Sequence, residues 1–478
     1  MTGSPLAREH GDDRGRSLLL AGATLAGACA VGAAIPLYVG AVGDGVGKIM
    51  ALPAGIALLA FLLFDRRALL VLILVFRSAG DVLFEATRFS LGGYQIGVGG
   101  VVNAFVIMIV ALMVLENPRA LPRKAVVAWA VFLLLAVAGV AASPFRGDAL
   151  KACLALLSYF AVFCSAFYFV RSRADFRFCV AIVLWSSAIP ALFALYQLAT
   201  GAGYGGGPRL YGTFPHPNIF AFYLVLVVSL VLYALKSADR PASLGARAGL
   251  SLYMGLMLLL LLLTQTRSAW IACFAIFALY GLFFERRFLA YVALAPLLAL
   301  LIPGVQDRVL DLAAGNEYVQ YAKLNSFAWR RLIWESGLSW MQPSHYVAGY
   351  GLESFRNYSL VFFRLVNPDG QGSGAHNVYV QLLFELGAIG LAAYLWLFAR
   401  MFRLARPALE ADRLGGFVAL AALVAYLIIS ASDNMLGYLS FNWYFWLVVG
   451  SACAVGGPVA ARKGPAAVDA PDRAAGRQ

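Results

Sequence analysis

Charged side chains are scarce in this chain: they make up 13% of its 478 residues, against 62% hydrophobic ones. No water-soluble fold covers its surface with so few polar groups. Histidine is scarcer still, with four in the whole chain, and none stands in an H-E-x-x-H spacing. D-x-D, a Walker A loop and a Ser/His/Asp signature are missing as well, so neither a metal nor any other cofactor is expected. The six cysteines, at positions 29, 153, 164, 179, 273 and 453, all fall inside apolar runs. That excludes a disulfide framework and zinc-site spacing, and reads as small core residues. Net charge is +13, yet no nucleic-acid-binding motif accompanies it, so nucleic acid is not an expected partner.

What the chain does have is apolar length. About fourteen runs can cross a bilayer as helices: roughly 17–42, 46–64, 68–84, 94–115, 125–142, 150–170, 178–200, 217–235, 248–263, 269–284, 288–303, 377–399, 414–432 and 438–457. The expected fold is all-α, a polytopic integral membrane helical bundle of about 12–14 transmembrane helices with one long periplasmic loop. Membrane lipids are therefore partners by construction. Arg77 and Asp81 make the third run the weakest. Their spacing lets them pair one helical turn apart, and the alternative is a re-entrant segment. The first run is too long for the core of a cleaved signal peptide.

Basic residues orient the bundle. One set of loops, from the N-terminal arm through Arg66 and Arg67 to the Arg462-Lys463 tail, holds 24 Lys and Arg. The opposite set of short loops and helix ends holds six: Lys48, Arg88, Arg146, Lys151, Arg209 and Arg267. The positive-inside rule places the first set and both termini in the cytoplasm. The resulting order is a cytoplasmic N-terminal arm (1–16), transmembrane helices 1–11 (17–303), a periplasmic loop (304–375), transmembrane helices 12–14 (376–457) and a disordered cytoplasmic tail (458–478). Inside the loop, Leu324 to Met341 repeats its apolar residues at three and four positions. This predicts an amphipathic helix able to lie on the membrane surface.

Three polar constellations fall on the outer side. In Gly207–Asn218, glycines and prolines fix a tight turn around Arg209, whose guanidinium suits a pair of phosphate oxygens. The structural alternative is an arginine snorkelling to headgroups, with Asn218 a cap or packing residue. Thr264–Trp270 reads as a tight helical hairpin that places Arg267 at the start of its second helix, where free N–H groups and the helix dipole also favour an anion. Its alternative is an interface anchor. In the third, Asn377, Gln381 and Glu385 share one helix face, and His376 stands at the helix start. There a neutral imidazole can take a proton from an attacking hydroxyl; a helix cap is the plain alternative. Glu385 is roughly 13 Å further along the helix, too deep for a sugar to reach.

Taken in order, these segments resemble the O-antigen ligase and O-antigen (exopolysaccharide) polymerase superfamily of bacterial membrane glycosyltransferases. The matching pieces are Arg209…Gly212-Thr213-Phe214…Pro217-Asn218, Thr266-Arg267-Ser268-Ala269-Trp270, Arg331-x-x-Trp334, Gly349-x-Gly351-Leu352-x-Ser354-Phe355 and His376-Asn377…Glu385-x-Gly387. The resemblance implies a metal-independent, inverting transfer of a glycan from undecaprenyl diphosphate to an acceptor sugar hydroxyl, at the periplasmic face of the bacterial inner membrane. By position it makes Arg209 and Arg267 a diphosphate clamp and His376 the group that activates the acceptor. Arg331, Asn377, Glu385 and Asn218 support the site. It further implies a glycan or lipid A-core acceptor and other polysaccharide-assembly proteins as partners. The extra spans favour polymerisation over ligation. A transporter or flippase of lipid-linked anionic glycans is the rival reading, but it calls for mid-bilayer charges on broken helices and an internal repeat, and the sequence displays neither.

Overall fold

The computed structural model describes residues 64–81, 88–91, 94–237, 243–311, 315, 324–363 and 371–457. The N-terminal arm, the span expected at 17–42, nearly all of that at 46–64 and the tail lie outside the described residues. Two compact units are distinguished. In the first, Leu83–Val101 carries a short antiparallel hairpin, β1 (Arg88–Leu91) and β2 (Tyr94–Gly97), in which Phe89 faces Ile96 and Ser90 faces Gln95.

The second unit is helical, and the protein is an all-α polytopic membrane bundle. Helix α1 (Arg66–Arg77) ends at the buried Arg77, which pairs with Asp81 four residues on; the pairing expected of the weakest run is made. There follow α2 (Val98–Glu116), α3 (Arg123–Ala142), α4 (Arg146–Phe169), α5 (Arg173–Ser186), α6 (Ala188–Thr200), α7 (Pro217–Lys236), α8 (Leu244–Leu263), α9 (Arg267–Phe283) and α10 (Phe288–Ala299). After α11 (Pro303–Leu310), the long connecting segment carries α12 (Ser326–Trp340) and α13 (Ser354–Phe362). The chain re-enters the bundle with α14 (Val378–Ala405), the short α15 (Ala408–Ala411), α16 (Arg413–Ser430) and α17 (Leu439–Val455). Among the described residues, eight helical segments are long and apolar enough to span a membrane, with α9 and α17 as shorter apolar helices.

A helix that is hydrophobic all round faces either lipid or a core, and burial decides which. For α7, 89% of its most apolar stretch is inside the bundle, against 22% for α2 and for α8. Helix α7 is therefore central. Polar residues pin these helices laterally, as when Trp443 donates to Ser158 at 2.9 Å and Tyr426 to Asn442 at 2.8 Å. Such bonds replace the hydrophobic drive that lipid cannot supply. The five described cysteines are free and buried.

The segment between α10 and α14 is sewn into the bundle. Helix α14 breaks at Gly387, whose φ of +66° and ψ of −169° suit glycine alone. A break inside an apolar helix strands backbone groups that need partners, and residues 346–352 provide them. Tyr350 N–H donates to the Phe384 carbonyl (3.0 Å) and Gly351 N–H to that of Glu385 (2.8 Å), while Ala388 N–H donates to the Tyr346 carbonyl (2.8 Å). The same segment closes the end of α3, with Leu352 N–H on the Gly139 carbonyl at 3.1 Å. A Cβ at Gly349 would stand 2.3 Å from the Glu385 carbonyl carbon, so contact this close demands glycine. The amphipathic α12 turns its apolar face inward. Ile333 is fully buried in a cluster with Phe355, Phe363 and Phe384, and Trp334 and Trp340 pack on it. The expected membrane-surface helix thus finds its apolar partner within the protein.

Candidate active site

The N-terminal ends of α7, α9, α12 and α14 converge, joined by the turn between α16 and α17. Each such end carries the positive pole of its helix dipole; side chains of His216, Asn325 and Asn377 cap α7, α12 and α14, and α9 has no side-chain cap. Asn218, in the first turn of α7, is the junction. Its side-chain N–H donates to Asp433 at 2.5 Å, and its oxygen accepts from Arg209 (2.9 Å) and from Thr266 (3.2 Å).

Arg209 is held by three neighbours: besides Asn218, it donates to the Thr264 carbonyl at 3.0 Å and to Thr266. Its turn is clasped by the buried Gln197, which accepts from the Tyr211 and Gly212 N–H groups and donates to the Gly212 carbonyl. Arg267 opens α9 and reaches across to α11 and α12. It donates to the Arg308 carbonyl at 3.0 Å and to the Ser326 hydroxyl, with Asp311 3.7 Å away. Burial depresses the Arg209 guanidinium to about 10, and the charges of Arg308 and Arg330 push it the same way. It remains cationic at neutral pH, in a neighbourhood where positive charge exceeds negative.

The carboxylate inside the network is Asp433, fully buried. Burial alone would raise this carboxyl. His376, the Tyr438 hydroxyl and the Arg330 charge outweigh burial and hold it at about 2. His376 Nδ1 lies 3.6 Å from a carboxylate oxygen, an ion-pair distance too long for a hydrogen bond, and that nitrogen has no other partner. The imidazole is about one-third exposed, and Trp329 meets it edge-on at 5.8 Å between ring centres. His216 also lies nearby; it caps α7 by accepting from Asn218 N–H, and burial lowers it to about 4.

The sequence-predicted residues divide. Arg209, Asn218, Arg267 and His376 gather around one network. His376 is not the helix cap: Asn377 is, accepting from the Tyr379 and Val380 N–H groups, and His376 stands before it with φ of +48°. Glu385 is buried, accepts from Gln381 (3.3 Å) and from Phe355 N–H (3.4 Å), and so fastens the 346–355 segment to α14. Arg331 points away, 70% exposed, and pairs with Glu335. Its neighbour Arg330 is the arginine whose charge reaches Arg209, His216 and Asp433. Sequence reasoning missed Asp433 as the partner of His376; its only signal was a carboxylate beside an outer helix end.

Residues 252–395 match the family model described as O-Antigen ligase. That match, over fewer than a third of the residues, supports the resemblance of this part of the chain to the O-antigen ligase and polymerase superfamily. It supports a role in surface-polysaccharide biosynthesis of that type. The matched stretch includes Arg267, Arg330, Arg331, His376 and Glu385, while Arg209, Asn218 and Asp433 lie outside it. A comparison with curated proteins gives no match.

Proposed function

We propose that this chain transfers a glycan from undecaprenyl diphosphate to an acceptor sugar hydroxyl, at the periplasmic face of the inner membrane and with inversion. The supporting observation is the cationic collar of Arg209, Arg267, Arg308 and Arg330 around the Asn218–Asp433–His376 network. The acceptor oxygen attacks the anomeric carbon as the bond from that carbon to the diphosphate oxygen breaks. The electron pair leaves with the diphosphate, and the guanidinium groups and helix N-termini stabilise the growing charge. The hydroxyl proton passes to Nε2 of His376, with Nδ1–H turned to Asp433, whose ionised carboxylate stabilises the imidazolium. Asn377 holds the helix start and Glu385 fixes the loop over the site, while Arg330 takes the place expected of Arg331.

Polymerisation of repeat units is preferred over ligation to lipid A-core, since the apolar runs before residue 150 exceed the ligase pattern. A deletion strain separates the two. A missing polymerase leaves a single repeat on the lipid A-core, and a missing ligase leaves none. For the transfer itself, the purified chain is given a lipid-diphosphate-linked glycan and an acceptor. Arg209→Ala or Arg267→Ala should abolish product, lysine should restore little because it lacks the bidentate fork, and EDTA should change little. Full turnover in either alanine variant, or strict dependence on an added divalent metal, overturns the clamp.

A further inference from the structure

At the opposite ends of α9 and α16 from the active site lies a groove of about 410 Å³. Its walls are Leu279, Phe283, Phe417, Leu420 and Val424, and among its lining residues Arg413 carries the only charge. The guanidinium sits 5.0 Å from the ring centre of Phe284 and is exposed. Among the described residues no carboxylate forms an ion pair with it. The adjacent Asp412 is turned inward, accepting from Arg173 (2.8 Å) and Tyr233 (2.6 Å). Glu285 is occupied by Lys236 and Tyr280, and Glu410 makes no ion pair with Arg413. The exposed Arg286 and Arg287, in the turn after α9, add positive charge on the same side.

We propose that this groove binds one anionic phospholipid, its phosphate on Arg413 and an acyl chain along α16. Two observations select that occupant. The cation stands at the groove's end, as a headgroup requires, and the remainder of the lining is hydrocarbon or aromatic. At 1.5 Å per residue, α16 from Arg413 to Val424 is about 16 Å long, close to the roughly 15 Å of hydrocarbon in one leaflet. A zwitterionic lipid brings its own cation next to the phosphate and gains less from a lone guanidinium. Because α9 and α16 also form walls of the active site, lipid occupancy braces the pair from its far end. The proposal stands apart from the transfer chemistry and is tested without it.

The full chain is placed in nanodiscs of phosphatidylglycerol or of phosphatidylcholine and released for native mass spectrometry, with thermal unfolding followed in parallel. One retained phosphatidylglycerol is expected, with retention at least tenfold above phosphatidylcholine and a higher unfolding temperature. Arg413→Gln should lose both effects and Arg413→Lys should keep most of them. Leu420→Trp, which fills the groove and leaves the cation in place, should lose retention. Arg286→Gln should behave as the native chain. Equal retention of the two lipids, or undiminished retention in Arg413→Gln, overturns the proposal. So does preferential retention of a polyprenyl phosphate added in competition, which would assign the groove to the donor's tail.

Discussion

A histidine with positive φ is uncommon outside turns, and His376 holds +48° where a glycine would be at ease. The backbone bears a cost of about 1–2 kcal/mol for such a residue, consistent with a side chain kept for what it does. In the proposed reaction His376→Gly should therefore unfold at an equal or higher temperature than the native chain while losing transfer by on the order of a hundredfold or more. Normal turnover in that variant removes the imidazole from the chemistry. Asp433→Asn tests the partner. It should lower kcat about tenfold or more without raising KM, since it removes a negative charge from a site that binds an anion. A rise in KM at constant kcat would show that Asp433 serves binding alone. His216 supplies a pH test. Burial holds it at about 4 in the fold against about 6.5 free, so the unfolded chain binds the extra proton between those values and stability falls as pH drops through that window. His216→Asn, which keeps a capping acceptor, should gain thermal stability relative to the native chain as pH goes from 7 to 4. A difference constant with pH contradicts the buried neutral imidazole.

Single elements were legible in the sequence, and their interruptions were not. Hydropathy located α2, α3, α4, α7, α8, α9, α14, α16 and α17, and gave α5 and α6 as one run, because about twenty apolar residues with polar ends admit one solution in a membrane. It could not see the break at Gly387, since a glycine in an apolar run gives no sign of its backbone angles. The contact of residues 346–352 with that break was hidden for the same reason: it is made by main-chain groups. The Arg330/Arg331 confusion has a rotational cause. Adjacent helical residues point about 100° apart, and an amphipathic pattern fixes a face too coarsely to choose between two neighbouring arginines. Arg330→Ala should lower transfer at least tenfold, and Arg331→Ala, exposed and paired only with Glu335, should stay within about twofold. The reverse result would return the role to Arg331. The broken helix makes its own prediction. Gly387→Ala adds a Cβ 2.2 Å from the Val347 carbonyl oxygen, so it should destabilise beyond the roughly 1–3 kcal/mol of backbone strain. Gly205→Ala, at φ of +61° with open space around it, should incur the strain alone. Equal unfolding temperatures for the two variants would mean that the 346–352 segment yields, and that its hold on α14 is loose.

At the scale of the whole molecule, one geometric fact organises the rest. The starts of α7, α9 and α14 and the end of α16 meet in one network, so the helices they belong to must alternate in direction across the bundle. The short loops at that end, 201–216, 264–266 and 431–438, carry one arginine and one buried carboxylate between them, and the long segment 304–375 carries six Lys and Arg. The opposite ends carry Lys236, Arg286, Arg287, Arg400, Arg403, Arg406 and Arg413. Positive charge resists transfer across the membrane during insertion, so the lysine- and arginine-rich ends should be cytoplasmic and the site should face the periplasm. Arg209 and Arg267 do not undo the argument, because both are turned inward, to main-chain carbonyls and to Asn218 and Ser326, and a segment as long as 304–375 counts little in the charge rule. Reporter fusions after Gly315 and at the C-terminus should then report opposite sides, with the first active only where the reporter works in the periplasm. Both on one side would overturn the orientation. It would also break the transfer reaction as proposed, since a lipid-diphosphate donor presented to the periplasm could not reach a collar of arginines facing the cytoplasm.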